Sequence, residues 1–166
     1  MDTIESGKKI LPGSVLPPLQ ATLLGGGQTS LSYADSKLPT VIYVFSTSCG
    51  WCERNLDNIN FLASNLKNNY RFVGLDIDRD VGQLATYATE TKLAFPIYHS
   101  PTPATWSQYK LGGTPMTIVV SSDGKVLEDW SGAYAEATRL QVESFFGTKL
   151  PGILPVSSDG SKETIQ

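Results

Sequence analysis

Two cysteines separated by two residues, Cys49-Gly50-Trp51-Cys52, lie between a solid apolar run and a helical repeat. Residues 40–46 (Thr-Val-Ile-Tyr-Val-Phe-Ser) are apolar without alternation and rich in β-formers. Such a run suits a central strand buried on both faces. After the cysteines, Leu56, Ile59, Leu62, Ala63 and Leu66 recur at spacings of three and four, which predicts a helix ending near Asn68-Asn69. The pair therefore falls at a strand-to-helix junction.

That position has a chemical meaning. The first turn of a helix carries unpaired N–H groups and a partial positive charge, and both stabilise a thiolate. The thiolate is the nucleophile. A second cysteine one turn on can attack a mixed disulfide formed at the first. A purely structural crosslink explains the pair less well: it would close a very short loop, where chain-entropy stabilisation is least. A secreted scaffold would carry several spaced pairs, and these two are the chain's full complement. A closed zinc site needs four ligands, and only the two cysteines and His99 are conspicuous. His99, the sole histidine, reads as a solvated loop residue. A copper site built from both cysteines and His99 is the alternative.

The remaining chain alternates strand and helix signals. Residues 1–18 form an extended leader, with Pro12, Pro17 and Pro18 excluding a continuous helix. Residues 19–24 and 29–31 flank Gly25-Gly26-Gly27 as a hairpin. Residues 71–77 predict a second buried strand, 81–91 a helix, 94–105 a loop or short strand, and 106–109 a brief helix. Gly112-Gly113-Thr114-Pro115 leads into a strand at 116–120, and Ser122-Asp123-Gly124 turns it into a hairpin partner at 125–131. A last helix spans 134–146 and offers Ala137, Leu140 and Phe145 to a sheet. Asp76, Asp78 and Asp80 suit a solvated strand end. The pattern is α/β with a mixed sheet, giving one domain over 19–149 and a mobile tail over 150–166.

A formal net charge of −3 gives no basic surplus for nucleic acid or an anionic membrane. No stretch approaches the roughly 18 apolar residues of a membrane-spanning helix. The first residues lack the basic and apolar regions of a signal peptide. The chain is either cytoplasmic or an exported protein shown without its leader.

The stretch Phe45-Ser46-Thr47-Ser48-Cys49-Gly50-Trp51-Cys52 resembles the thioredoxin superfamily, and Gly113-Thr114-Pro115-Met116-Thr117 looks like that fold's cis-proline loop. The leading hairpin and the extra segment around 81–111 are similar to the TlpA/ResA branch. The resemblance covers roughly residues 15–147 and implies a three-layer fold, a mixed sheet flanked by helices, with an N-terminal hairpin and an inserted helix/strand segment. It implies that Cys49 is the nucleophile and Cys52 the resolving thiol. Thr114 and Pro115 would form the cis peptide facing them. Trp51, between the cysteines, suits a packing residue or a substrate contact, and the rarity of exposed tryptophan favours contact. No cofactor is implied beyond the redox-active disulfide Cys49–Cys52. Implied partners are protein disulfides or dithiols and an upstream electron donor, for a monomer acting outside the cytoplasm. With no basic residue at Gly50-Trp51, a reductase with a potential of roughly −270 to −200 mV is expected.

The departures are specific. The positions where relatives place carboxylates are Tyr43, six residues before Cys49, and Asn55, three after Cys52; the common helix proline is Asp57. Glu53 or Asp76 remain as candidate proton acceptors. A thiol peroxidase would need Ser or Thr three residues before the nucleophile and Pro seven before; Ser46 fits and Ile42 does not.

Overall fold

The computed structural model describes residues 10–100 and 102–155; the expectations for 1–9 and 156–166 lie outside them. Seven strands and five α-helices follow in order: β1 (Leu19–Leu23), β2 (Gln28–Leu31), β3 (Thr40–Phe45), α1 (Gly50–Arg54), α2 (Leu56–Asn65), β4 (Arg71–Asp76), α3 (Leu84–Thr91), β5 (Ile97–His99), α4 (Pro103–Gln108), β6 (Met116–Val120), β7 (Val126–Ser131) and α5 (Glu136–Phe146). They form one sheet in the order β2-β1-β5-β4-β3-β6-β7. Its centre, β5-β4-β3, is parallel; both wings are antiparallel. This is the mixed thioredoxin-like architecture.

Every residue of β3 is buried. Period-two alternation sends Val41, Tyr43 and Phe45 into a core shared with α2, α3 and α5, and Ile42 and Val44 into a second core. The second core is closed by Ile10, Leu16, Tyr33 and Tyr109. On β4 a glycine is required: a Cβ on Gly74 would stand 3.0 Å from the Phe95 ring and 3.2 Å from Phe45.

Several local expectations are corrected. The brief helix begins earlier, at Pro103, because Thr102 caps it and proline suits the first helical turn. On α5, Leu140 is 66% exposed and Ala137 is exposed, while Val142 and Phe146, four apart, face the core. Phe146 meets Phe72 and Trp130, and Phe145, as expected, packs partly buried on Trp130, whereas the apolar residues nearer the helix start face away. Asp76 is fully buried rather than solvated.

The flanking segments are held to the sheet. Residues 13–16 run beside β7, with Gly13 N–H donating to Val126 at 2.8 Å and Leu16 N–H to Gly124 at 2.9 Å. Ile10 N–H donates to the Asp129 carboxylate at 2.8 Å. Past α5, Leu150 is buried, Gly152 N–H donates to Asn58 Oδ1 at 2.8 Å, and Leu154 N–H donates to the Arg54 carbonyl at 2.7 Å. The start of the expected tail is thus packed on α1 and α2.

Candidate active site

Strand β3 delivers the chain into Ser46-Thr47-Ser48, and Cys49 then caps α1. Cys49 and Cys52 are joined by a disulfide. Cys52 N–H donates to Cys49 Sγ at 3.0 Å, so the sulfur receives one of the free donors of the helix start. Cys49 is half-buried and Cys52 has no exposed surface. The exposed surface of the pair is therefore all on Cys49.

The loop before Cys49 is fixed from the segment that follows β4. Asp78 accepts the Ser46 hydroxyl at 2.6 Å, the Thr47 hydroxyl at 2.7 Å and the Thr47 N–H at 3.0 Å. Ser46 C=O in turn accepts Cys49 N–H at 3.1 Å. Burial opposes the charge of Asp78, but these donors outweigh it and hold the carboxyl below its usual range.

Behind Cys52, the positions that lack carboxylates form a neutral network. Tyr43 Oη donates to the Cys52 carbonyl at 3.2 Å, and Asn55 Nδ2 donates to Tyr43 Oη at 3.4 Å. Asn55 Oδ1 accepts Asn58 Nδ2 and the Tyr134 N–H, both at 3.0 Å. Burial pushes the Tyr43 hydroxyl well above the ordinary tyrosine range. Asn55 also divides the expected single helix: at φ −91° and ψ 1° it ends α1 and starts α2.

The Thr114–Pro115 peptide is cis. Val44 of β3 pairs with Met116 of β6, so this loop and the loop carrying Cys49 emerge at the same end of neighbouring strands. The Pro115 carbonyl accepts Gly132 N–H at 2.8 Å, and among the described residues no hydrogen bond takes up the main chain of Thr114. A cleft of about 360 Å³ runs along Lys110, Gly113, Thr114 and Ser131. Trp51 is 36% exposed, with the Arg54 guanidinium 4.2 Å from its ring centre.

His99 is not a solvated loop residue. It ends β5, its side chain is 11% exposed, and Nδ1 lies 3.0 Å from Asp76 Oδ2. Among the described residues no three His, Cys, Asp or Glu side chains converge as a metal site, and His99 Nδ1 is engaged with Asp76. The Asp78 clamp and the Asp76–His99 pair are the site features that sequence reasoning missed. Their only local signal is Asp76-x-Asp78 at the end of a strand.

Comparison with known proteins places these features in context. The model of the AhpC/TSA family matches residues 12–128. A thioredoxin-like protein of Haemophilus influenzae is 28% identical over 128 residues, covering 75% of this chain and 74% of its own. Among solved structures, a putative thiol:disulfide interchange protein DsbE from Chlorobium tepidum superposes with TM-score 0.70 at 20% identity, over 83% of this chain and 99% of its own. The thioredoxin domain of a thiol-disulfide oxidoreductase from Bacteroides vulgatus gives TM-score 0.69 at 19% identity, over 82% and 99%.

Proposed function

The chain belongs to the AhpC/TSA family, and from that premise we propose that it is a thiol–disulfide oxidoreductase using Cys49 as nucleophile and Cys52 as resolving thiol. The observation that carries this reading is the asymmetry of the pair: a reachable Cys49 sulfur at a helix start, and a Cys52 with no exposed surface. In the reduced protein the Cys49 thiolate attacks a sulfur of a substrate disulfide, and one substrate thiolate leaves. Cys52 gives up its proton and attacks Cys49 Sγ. The second substrate thiolate departs and the Cys49–Cys52 disulfide forms. An upstream donor restores the dithiol.

Substrate lies across Trp51 and pairs as an added strand with the main chain at Thr114 and Pro115. The free main chain of Thr114 and the adjacent cleft support this placement. The protein acts as a monomer on protein disulfides outside the cytoplasm; the thiol:disulfide interchange named for the Chlorobium tepidum neighbour supports the chemistry of this reading. Gly50 and Trp51 supply no cation between the cysteines, and Arg54 is engaged with the Trp51 ring and Leu154, which favours the reducing direction.

Insulin reduction with dithiothreitol tests the activity, and Cys52→Ser should accumulate mixed disulfides that Cys49→Ser does not. Preferential alkylation of Cys52 in the reduced protein would overturn the roles. The family name favours a second reading, thiol peroxidase. Against it, Ile42 occupies the position where a proline is expected, and the Ser46 hydroxyl is directed to Asp78. Rapid consumption of hydrogen peroxide would restore it.

A further inference from the structure

Asp76 closes β4 opposite Phe45 of β3 and His99 of β5. It has no exposed surface. Its Oδ2 faces His99 Nδ1 at 3.0 Å, and Oδ1 accepts Asp78 N–H at 3.3 Å. Burial, then the hydrogen bond and charge of Asp78, push its carboxyl up to about 8. Burial lowers the His99 imidazole, with the charge of Asp78 opposing. Near neutral pH the trio therefore holds Asp76 as an acid, Asp78 as a carboxylate and His99 as a neutral ring. With Asp76 protonated and the ring neutral, the Asp76–Nδ1 contact can carry that proton.

Two hydrogen-bonded steps join this acid to the reactive loop: Asp76 to Asp78, then Asp78 to Ser46 and Thr47. In the other direction His99 lines a cleft of about 480 Å³ with Gln20, Thr22 and Ser100 at the β1–β5 edge. Asp78 faces Asp76 from its own loop and His99 from β5. Tyr87 belongs to α3, and its buried hydroxyl has no partner among the described residues. That hydroxyl is raised to about 12 by burial and by the charges of Glu53, Asp76 and Asp78. Glu53 of α1 and Glu90 of α3 line the adjoining cleft. Tyr43 of β3 interacts electrostatically with Tyr87. Apart from His99, every group in this set is acidic or phenolic. A thiolate at Cys49 adds a further negative charge, and the readiest relief is a proton retained on Asp76.

We propose that Asp76 and His99 form a proton port for the Cys49–Cys52 couple, in which Asp76 binds its proton more tightly once the disulfide is reduced and His99 exchanges that proton with solvent through the β1–β5 cleft. Both are positioning residues, acting through the Asp78-held loop, and the inference rests on the dithiol reading above. Reduction by dithiothreitol supplies two electrons and leaves Cys49 as thiolate and Cys52 as thiol, consuming one proton. Dithiothreitol closes to its cyclic disulfide and releases two. Above about pH 8, where Asp76 in the disulfide form has lost its proton, reduction draws one more proton onto Asp76.

The test measures the equilibrium constant with dithiothreitol from about pH 6 to about pH 9, in wild type, Asp76→Asn and His99→Gln, by alkylation of trapped thiols. Wild type should show a break above about pH 8, beyond which the constant rises by up to about tenfold less per pH unit than in Asp76→Asn. In His99→Gln the break should move by about half a pH unit or more. Superposition of the Asp76→Asn curve on wild type overturns the port, even where that variant is less stable. Should Asp76→Asn not fold, superposition of the His99→Gln curve overturns it equally. A disulfide that dithiothreitol does not reduce defeats the oxidoreductase reading itself; normal equilibration without the break defeats the port alone.

Discussion

The main-chain N–H of Tyr134 donates to Oδ1 of Asn55 at 3.0 Å across 79 residues of sequence, tying the break between α1 and α2 to the turn that follows β7. Tyr134 is also bonded through its hydroxyl to Thr117 of β6 at 2.6 Å. The cysteine helix and the strand after Pro115 thus share one buried anchor. Asn55→Ala would strand the Tyr134 N–H without a partner and remove the Asn58 contact. The expected cost is about 2–3 kcal/mol, read from urea unfolding of the oxidised protein. A loss below about 0.5 kcal/mol would contradict the role given to this network.

Asp78→Ala releases three hydrogen bonds to Ser46 and Thr47. Two hydroxyl donors would be left half-buried, and stability should fall by about 1–3 kcal/mol. Because these bonds fix the approach to Cys49, insulin reduction should slow under conditions where the variant remains folded. Unchanged turnover in folded Asp78→Ala would show that the loop needs no clamp.

The buried acid gives stability a distinctive pH dependence. In the unfolded chain Asp76 ionises near its ordinary value of 3.8, whereas in the folded protein it does so at about 8. The folded state therefore holds the extra proton, so this contribution is full at low pH and disappears as pH rises through about 8. Below about 6.5, His99, lowered in the folded state, works in the opposite sense. The clean window is from about 6.5 to about 8, where stability should fall by about 1 kcal/mol per pH unit. Denaturant titrations of oxidised wild type and Asp76→Asn should show this slope in the first and lose most of it in the second. Equal slopes would refute the assignment.

How much of this was legible follows from the range of each signal. The strand at 40–46, its cysteines and the paired loops were readable because each is written in contiguous residues. The alignment of Asp76 with His99 is a matter of β4–β5 register over 23 residues, and nothing local encodes it. Likewise α5 has apolar residues on more than one face, and only docking in the core, where Phe146 meets Phe72 and Trp130, selects Val142 and Phe146. Tyr43 and Asn55 read as missing acids. Their positive role, a satisfied neutral network, needed Asn58 and Tyr134 from elsewhere in the chain.

Arg54 joins two features that sequence kept apart. Its Nε donates to the Leu154 carbonyl at 2.8 Å while its guanidinium covers Trp51. Arg54→Ala removes the side-chain half of the hold on Leu154 while the Leu154 N–H to residue 54 carbonyl bond remains, and it should loosen residues 153–155, red-shift the Trp51 emission and speed proteolytic trimming of the C-terminal end. The stacked and bonded arginine contributes about 1–2 kcal/mol in such a setting. Trimming at the wild-type rate would show that Leu150, Gly152 and the Leu154 main-chain bond suffice to hold the segment.

The docking of residues 10–16 on β7 sets the timetable for synthesis. Ile10 meets Asp129 across 119 residues. At typical translation rates the ribosome needs roughly 6–24 s to add that length of chain. Until then one edge of the nascent sheet has no companion, and Leu16 and Ile10 have no core to enter. The earliest part of this domain to be made is among the last to find its place.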